Sequence, residues 1–294
     1  MTKCNLCPRN CNIDRSTGQK GICGVDNSVY IARASLHQWE EPCISGEHGS
    51  GTVFFSGCSL KCVYCQNYNV SRAVVGKKVS TEELCDIFLK LQNDGAHNIN
   101  LVTGDHYIPQ IISSLDMAKN KGLNIPIVFN TSSYVNISSL KMLDGYIDIY
   151  LADFKYFTPE ISQKYSNAID YPDFAKKAIH EMFCQQSQLK YSENGMLYAG
   201  LVVRNLVLPG MVAESKRILR YLYEKYNDNI SISIMSQFTP FANTKNFPEI
   251  NRKLTEREYN RVIDFALDLG IKNAFIQDGS SASESFIPEF NCNI

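Results

Sequence analysis

Between Thr52 and Ile276 the chain alternates short runs of β-branched and aromatic residues with longer stretches whose apolar positions recur at helical spacing. TVFFS, NINLV, IPIVF, YIDIYLADF, LYAGLVVRNLV, ISISIMSQF and a last short NAFIQ read as strands. STEELCDIFLKLQ, IPQIISSLDMAKN, SSLKMLD, one long stretch from Ser162 to Gln188, ESKRILRYLYEKY and TEREYNRVIDFALDLG read as helices between them. The strand runs are apolar almost throughout, which is the pattern of strands buried on both faces in a parallel sheet covered by helices. That leaves a doubly wound sheet or a TIM-like barrel. About six strand–helix pairs are visible, fewer than the eight of a closed barrel, so the expected fold is α/β, a partial TIM-like (β/α)6 barrel.

The pattern changes at both ends. Residues 1–50 show no sustained period and carry cysteines together with Arg9, Arg15, Gly18, Gly21 and Gly24, so they read as a Cys-rich N-terminal metal-binding extension. Residues 51–280 form the barrel, and in the tail 281–294 Ser and other polar residues replace periodicity. With 29 Lys+Arg against 30 Asp+Glu in 294 residues the net charge is -1, which excludes a whole-protein basic field. Nucleic acid is therefore not an expected partner, and RNA modification is a weak third reading of function. The opening MTKCNLCPRN has no leader-like apolar stretch, and the longest later one, GLVVRNLVLPG, is split by Arg204 and Asn205. The expectation is a cytoplasmic protein with no membrane partner.

Eight of the eleven cysteines fall within the first 65 residues at short spacings, a density that in a reducing compartment points to metal or catalysis. In FFSGCSLKCVYCQN, Cys58, Cys62 and Cys65 stand as C-x3-C-x2-C on the loop directly after the first barrel strand. Three thiolates bind three irons of a [4Fe-4S] cubane and leave the fourth open to another ligand. Zinc completed by a distant His and an electron-transfer cluster are the alternatives, but neither explains why the triad opens a barrel at the rim where barrel enzymes do their chemistry.

Other strands also end in polar residues. Thr103-Gly104-Asp105-His106 follows NINLV, Asn130-Thr131-Ser132 follows IPIVF, and Asp153-Phe154-Lys155 ends YIDIYLADF. Arg204 lies in LVVRNLVLPG before Pro209-Gly210, and Ser236-Gln237 follow ISISIM. Each alone is compatible with turn or cap chemistry, but parallel strand ends face one cavity. His37, Trp39, Glu40 and Glu41 precede the barrel and are candidates to line its mouth; His106 is a candidate for the surroundings of the site.

C-x3-C-x2-C with an aromatic, Tyr64, before the last cysteine resembles the motif of the radical SAM superfamily. The resemblance implies that S-adenosylmethionine (SAM) chelates the open iron and is reductively cleaved to methionine and a 5′-deoxyadenosyl radical that abstracts hydrogen. It implies a reductant such as flavodoxin or ferredoxin and a protein, peptide or other substrate. Asp153-Phe154-Lys155 and Arg204 before Pro209-Gly210 resemble SAM-contacting motifs of glycyl-radical-enzyme activating enzymes. By donor and acceptor type, Lys155 and Arg204 suit the SAM carboxylate, and Asp105 or the Gly104 carbonyl its amino group. Asn130, Ser132 and Gln237 suit the ribose and adenine edges, and Tyr64 offers adenine an apolar face. That family's Gly-Gly-Glu is reduced here to Thr103-Gly104-Asp105, and Asn130-Thr131-Ser132-Ser133 departs from its cation-binding turn. Over its full length the sequence resembles the PflX-type family of pyruvate formate-lyase activating proteins, in strings such as CPRNC, VTGDHYIPQI, DIYLADFKY and SIMSQFTP. The competing reading is an iron–sulfur electron-transfer protein without SAM turnover.

Cys4, Cys7, Cys11 and Cys23 form C-x2-C-x3-C-x11-C with glycines able to bend the backbone around a metal. Tetrahedral zinc and an auxiliary [4Fe-4S] cluster fit this ligand set about equally, with free thiols a third reading. Cys43 fits no simple scheme, and Cys85, Cys184 and Cys292 read as ordinary thiols.

Overall fold

A computed structural model describes residues 3–72 and 74–277; the expected tail 281–294, with Cys292, lies outside the described residues. The strands are β1 (Val29–His37), β2 (Ser50–Phe55), β3 (Lys77–Val79), β4 (Ile99–Val102), β5 (Ile127–Thr131), β6 (Ile149–Asp153), β7 (Lys190–Tyr191), β8 (Leu197–Leu206), β9 (Ser231–Met235) and β10 (Ala274–Ile276). The helices are α1 (Pro42–Ser45), α2 (Tyr68–Arg72), α3 (Thr81–Asn93), α4 (Ile108–Asn120), α5 (Ile137–Lys141), α6 (Pro159–Ser166), α7 (Tyr171–Gln185), α8 (Val212–Tyr226) and α9 (Glu256–Leu269).

The sheet runs β10-β9-β8-β6-β5-β4-β2-β1-β3, with β7 paired to β8. Every pairing from β2 across to β10 is parallel, whereas β1 and β3 are antiparallel additions at one edge. The two end strands β10 and β3 do not pair, so the barrel is open, with six strand–helix units as the periodicity indicates. Every residue of β2, β4 and β5 is buried. That is the physical meaning of their continuous apolar runs: side chains on one face fill the barrel and those on the other meet the helices. Val53, Phe55, Leu101, Phe129 and Val203 belong to the main core together with Leu84, Phe88, Ile111 and Leu115 of α3 and α4.

Two elements depart from the sequence reading. The single helical stretch expected from Ser162 to Gln188 is two helices, because Asn167 takes a left-handed conformation (φ 48°, ψ 45°) that ends α6 before α7 begins. The sheet also reaches further toward the N-terminus than a boundary at residue 50 implies. β1 pairs with β2 from Ile31 opposite Phe55 to His37 opposite Ser50, with a register shift between Ile31 and Arg33. The turn into β3 depends on Gly76 (φ +102°), where a Cβ would stand 2.0 Å from the Ile31 carbonyl oxygen. Among the described residues no helix is long and apolar enough to cross a membrane.

Candidate active site at the C-terminal ends of the parallel strands

Because the parallel strands all point the same way, their C-terminal ends surround one cavity of about 220 Å³. Cys58, Cys62, Tyr64, Cys65, Asn130, Ser132, Asp153, Lys155, Arg204 and Gln237 all line it. The fold therefore brings together residues that span 180 positions of sequence, from 58 to 237. Gly104 and Asp105 are placed elsewhere. A Cβ on Gly104 would meet Ile111 and Phe55, and Asp105 is buried beside Thr131, whose hydroxyl donates to its carboxylate. A larger cavity, about 630 Å³, opens at the opposite ends of the strands around Cys43, His48 and His97, and contains none of the expected site residues.

The loop after β2 is held from several directions. Gly57 (φ +88°) makes its first turn with the Cys23 carbonyl so close that a Cβ would stand 2.7 Å from it, and the Cys58 N–H donates to the same carbonyl at 3.2 Å. Lys61 takes φ 53°, and Arg72 at the end of α2 donates to its carbonyl. Val63 N–H donates to Tyr165 O at 2.8 Å, which ties the loop to α6. From the end of that helix the Ser166 hydroxyl donates to Cys62 Sγ at 3.0 Å. Burial pushes the Cys58 thiol up to about 12 and raises that of Cys65, with the neighbouring cysteines adding to both shifts. Desolvated thiols of this kind take up thiolate form against a cationic centre, as they do when they ligate metal. A cubane, which places its ligands around several irons, matches an all-sulfur set spread along one loop.

Beside the cysteines lies a network of charges centred on Arg204 of β8. Its Nε donates to Asp153 Oδ1 at 2.9 Å, one Nη to Glu40 Oε2 at 3.0 Å and the other to Asn130 Oδ1 at 2.6 Å. Lys155 Nζ donates to Asp153 Oδ2 at 2.6 Å. Burial opposes charge on Asp153, but Lys155 and Arg204 outweigh it and hold the carboxyl below its usual range. The same pairing lifts Lys155 to about 12 despite desolvation. The parallel register places Asp153 directly opposite Arg204, so two adjacent strands supply this pair by their alignment alone. The cavity thus holds two fixed cations beside two carboxylates, which suits a ligand bearing both an amino and a carboxylate group.

Glu40 comes from the segment after β1. It enters the barrel to meet Arg204 and also accepts from Asn100 Nδ2 at 2.9 Å. His37 and Trp39 line the cavity with it, while Glu41 is buried with one carboxylate oxygen lacking a hydrogen-bond partner. His106 lies outside the cavity, buried, with Nε2 2.8 Å from the Ser56 carbonyl two residues before Cys58. Tyr64 is buried among Tyr156, Tyr165 and Phe238 in edge-on contacts. Sequence reasoning missed Ser166 on Cys62 and Gln66, whose side chain donates to Gln237 O at 2.7 Å. Neither carries a local signal, because each acts across more than 100 residues of chain.

Residues 52–183 match the model of the radical SAM superfamily. An uncharacterized protein of Methanocaldococcus jannaschii is 28% identical over 270 residues, which cover 90% of this chain and 74% of that one. Among solved structures, Streptococcus suis SuiB bound to its precursor peptide SuiA has a TM-score of 0.51 at 13% identity, over 75% of this chain and 46% of SuiB. SuiB bound to S-adenosylmethionine gives 0.50 at 12%, over 75% and 47%. Native anSMEcpe with bound AdoMet and the Kp18Cys peptide gives 0.50 at 13%, over 75% and 60%. The chain spans about half the length of SuiB, so these likenesses describe the fold. The matched segment begins in β2 and ends within α7, so the likeness to the radical SAM superfamily falls on the part of the chain that carries the three loop cysteines, Asp153 and Lys155.

Proposed function

We propose that this chain is a radical SAM enzyme acting on a protein or peptide, with activation of a glycyl radical enzyme as its specific role. The observation that carries the chemistry is the meeting in one cavity of Cys58, Cys62 and Cys65 with the Asp153–Arg204–Lys155 network. Bound there, a [4Fe-4S] cluster with SAM supplies reductive cleavage of the sulfonium and a 5′-deoxyadenosyl radical for hydrogen abstraction. Cys58, Cys62 and Cys65 would hold three of its irons. The Ser166 hydroxyl donates to Cys62 Sγ, a contact of the type that tunes cluster potential.

Arg204 is the chief orienting group. Its three neighbours fix the guanidinium plane, so it meets a carboxylate without first losing rotamer freedom. Lys155 adds a second cation, Glu40 and Asp153 supply acceptors for an ammonium, and Asn130, Ser132 and Gln237 supply polar edges. Phe54, Leu60, Val102 and Leu206 form an apolar lining that keeps water from the reacting atoms. A protein or peptide substrate is supported by the open barrel and by the exposed Trp39 at the mouth, and the glycyl-radical role by the full-length resemblance of the sequence. A low-potential donor of the flavodoxin or ferredoxin type is the expected reductant.

The test is anaerobic reconstitution followed by EPR with and without SAM and an assay for 5′-deoxyadenosine with dithionite. A SAM-shifted signal and deoxyadenosine that disappears in Cys62→Ala are expected. A signal indifferent to SAM overturns the enzyme reading in favour of electron transfer. A glycine-centred radical in mixtures with a glycyl radical enzyme tests the specific role, and its absence at full SAM turnover sinks that part alone.

A further inference from the structure

We propose that Cys4, Cys7, Cys11 and Cys23 hold a second, polynuclear iron–sulfur cluster that relays electrons to the one on the loop after β2; the relay role rests on the radical SAM reading. The N-terminal chain is built as a knuckle. Cys4 N–H donates to Ile13 O at 2.8 Å and Asn12 N–H to Cys4 O at 3.2 Å, with Asn10 (φ 41°) and Asn12 (φ 54°) reversing the chain between them. A second turn, closed by Gly24 N–H on Gly21 O at 2.9 Å, returns Cys23 to the first. The place a Gly21 side chain would fill lies 3.3 Å from Cys11 Sγ and 3.5 Å from Cys23 Sγ, so glycine leaves open the space between two thiols. Cys7 and Cys23 are buried, and all four cysteines are free thiols.

The donor set is sulfur alone, and Ile22 N–H already points at Cys11 Sγ at 3.4 Å, a backbone contact of the kind that supports cluster thiolates.

Position supplies the role. The carbonyl of Cys23 accepts the N–H of Cys58, so one residue of the knuckle and one of the loop cysteines are joined by a single hydrogen bond. Arg9, between Cys7 and Cys11, reinforces the junction by donating to Ser59 O at 2.9 Å and Ser166 O at 3.0 Å. One electron leaves the reduced knuckle cluster and reduces the loop cluster by one. The knuckle cluster is then re-reduced by a low-potential one-electron donor protein of ferredoxin or flavodoxin type.

The experiment uses the full chain, reconstituted anaerobically and assayed for iron, sulfide and zinc, with EPR in the presence and absence of SAM. About eight irons per chain are expected. Cys11→Ser should keep about four irons with a SAM-shifted signal, and a Cys58→Ala/Cys62→Ala/Cys65→Ala variant about four with a signal indifferent to SAM. With reduced ferredoxin as donor, Cys11→Ser should reach the SAM-responsive signal at least about tenfold more slowly; an unchanged rate overturns the relay. About four irons in the wild type, with or without one zinc, overturns the second cluster while leaving the radical SAM reading intact. That count needs no variant to fold. Eight irons with no SAM response would retain the second cluster and overturn the enzyme reading together with the relay.

Discussion

Arg204 carries two carboxylates and an amide on one guanidinium, so removing it leaves Glu40 and Asp153 buried beside each other. Arg204→Ala should cost about 3–5 kcal/mol in urea unfolding, the usual penalty for stripping one partner from a buried ionic set. Arg204→Lys keeps the charge and loses the fork, and should weaken SAM binding at least about tenfold by equilibrium dialysis. Two adjacent residues make stability depend on pH in opposite senses. Burial holds the His106 imidazole down at about 4, so the stability it contributes is complete above its unfolded value of about 6.5 and is lost as pH falls toward 4. Burial holds Asp105 up at about 6, so its contribution is complete below about 4 and is lost as pH rises through 6. Urea midpoints between about pH 4 and 6.5 should therefore rise less steeply with pH than wild type in His106→Gln, and more steeply in Asp105→Asn. At this scale the cysteine triad and the Asp153, Lys155 and Arg204 set were legible because their spacing and strand-end placement are local. Glu40 was placed only loosely, at the barrel mouth, because its meaning comes from a partner 164 residues away.

Helices whose ends are written in sequence came through as read. α3 begins with Ser80 capping Glu83 N–H while Glu83 caps Ser80 in return, and α9 repeats the device with Thr255 and Glu258. Ser80→Ala should lower stability by about 1 kcal/mol by thermal or urea unfolding, without change in SAM affinity, since it touches only the helix start. β1 was not recognised as a strand. Its VYIARASLH sequence places Arg33 within the run and shifts register there, so neither alternation nor a continuous apolar stretch is present to be read. The α6–α7 boundary was hidden for a related reason, because helical periodicity persists on both sides of a single left-handed asparagine.

The sheet joins residues from most of the chain, so a ligand in its cavity is felt by the whole fold. SAM at a hundredfold excess over its dissociation constant should add about 2.7 kcal/mol if it binds the native chain alone. At roughly 2–4 °C per kcal/mol for a domain of this size, the reconstituted protein should melt roughly 5–10 °C higher with SAM, and Arg204→Lys should lose most of that gain. The overall architecture was legible because parallel strands and their covering helices each advertise themselves in their own period. The way the segment after β1 turns into the barrel was not, since no repeating pattern describes it.

That segment also has a consequence for synthesis. From β4 onward the strands join the sheet in nearly the order in which a ribosome delivers them, each against the strand made before it. Glu40, by contrast, is delivered early and finds its Arg204 partner only when β8 has emerged. Until then the carboxylate lacks the guanidinium it is paired with in the finished barrel, and burying it without that partner would be costly. Closure of the cavity around its charges is therefore expected as a late step of folding, after the fifth parallel strand has arrived.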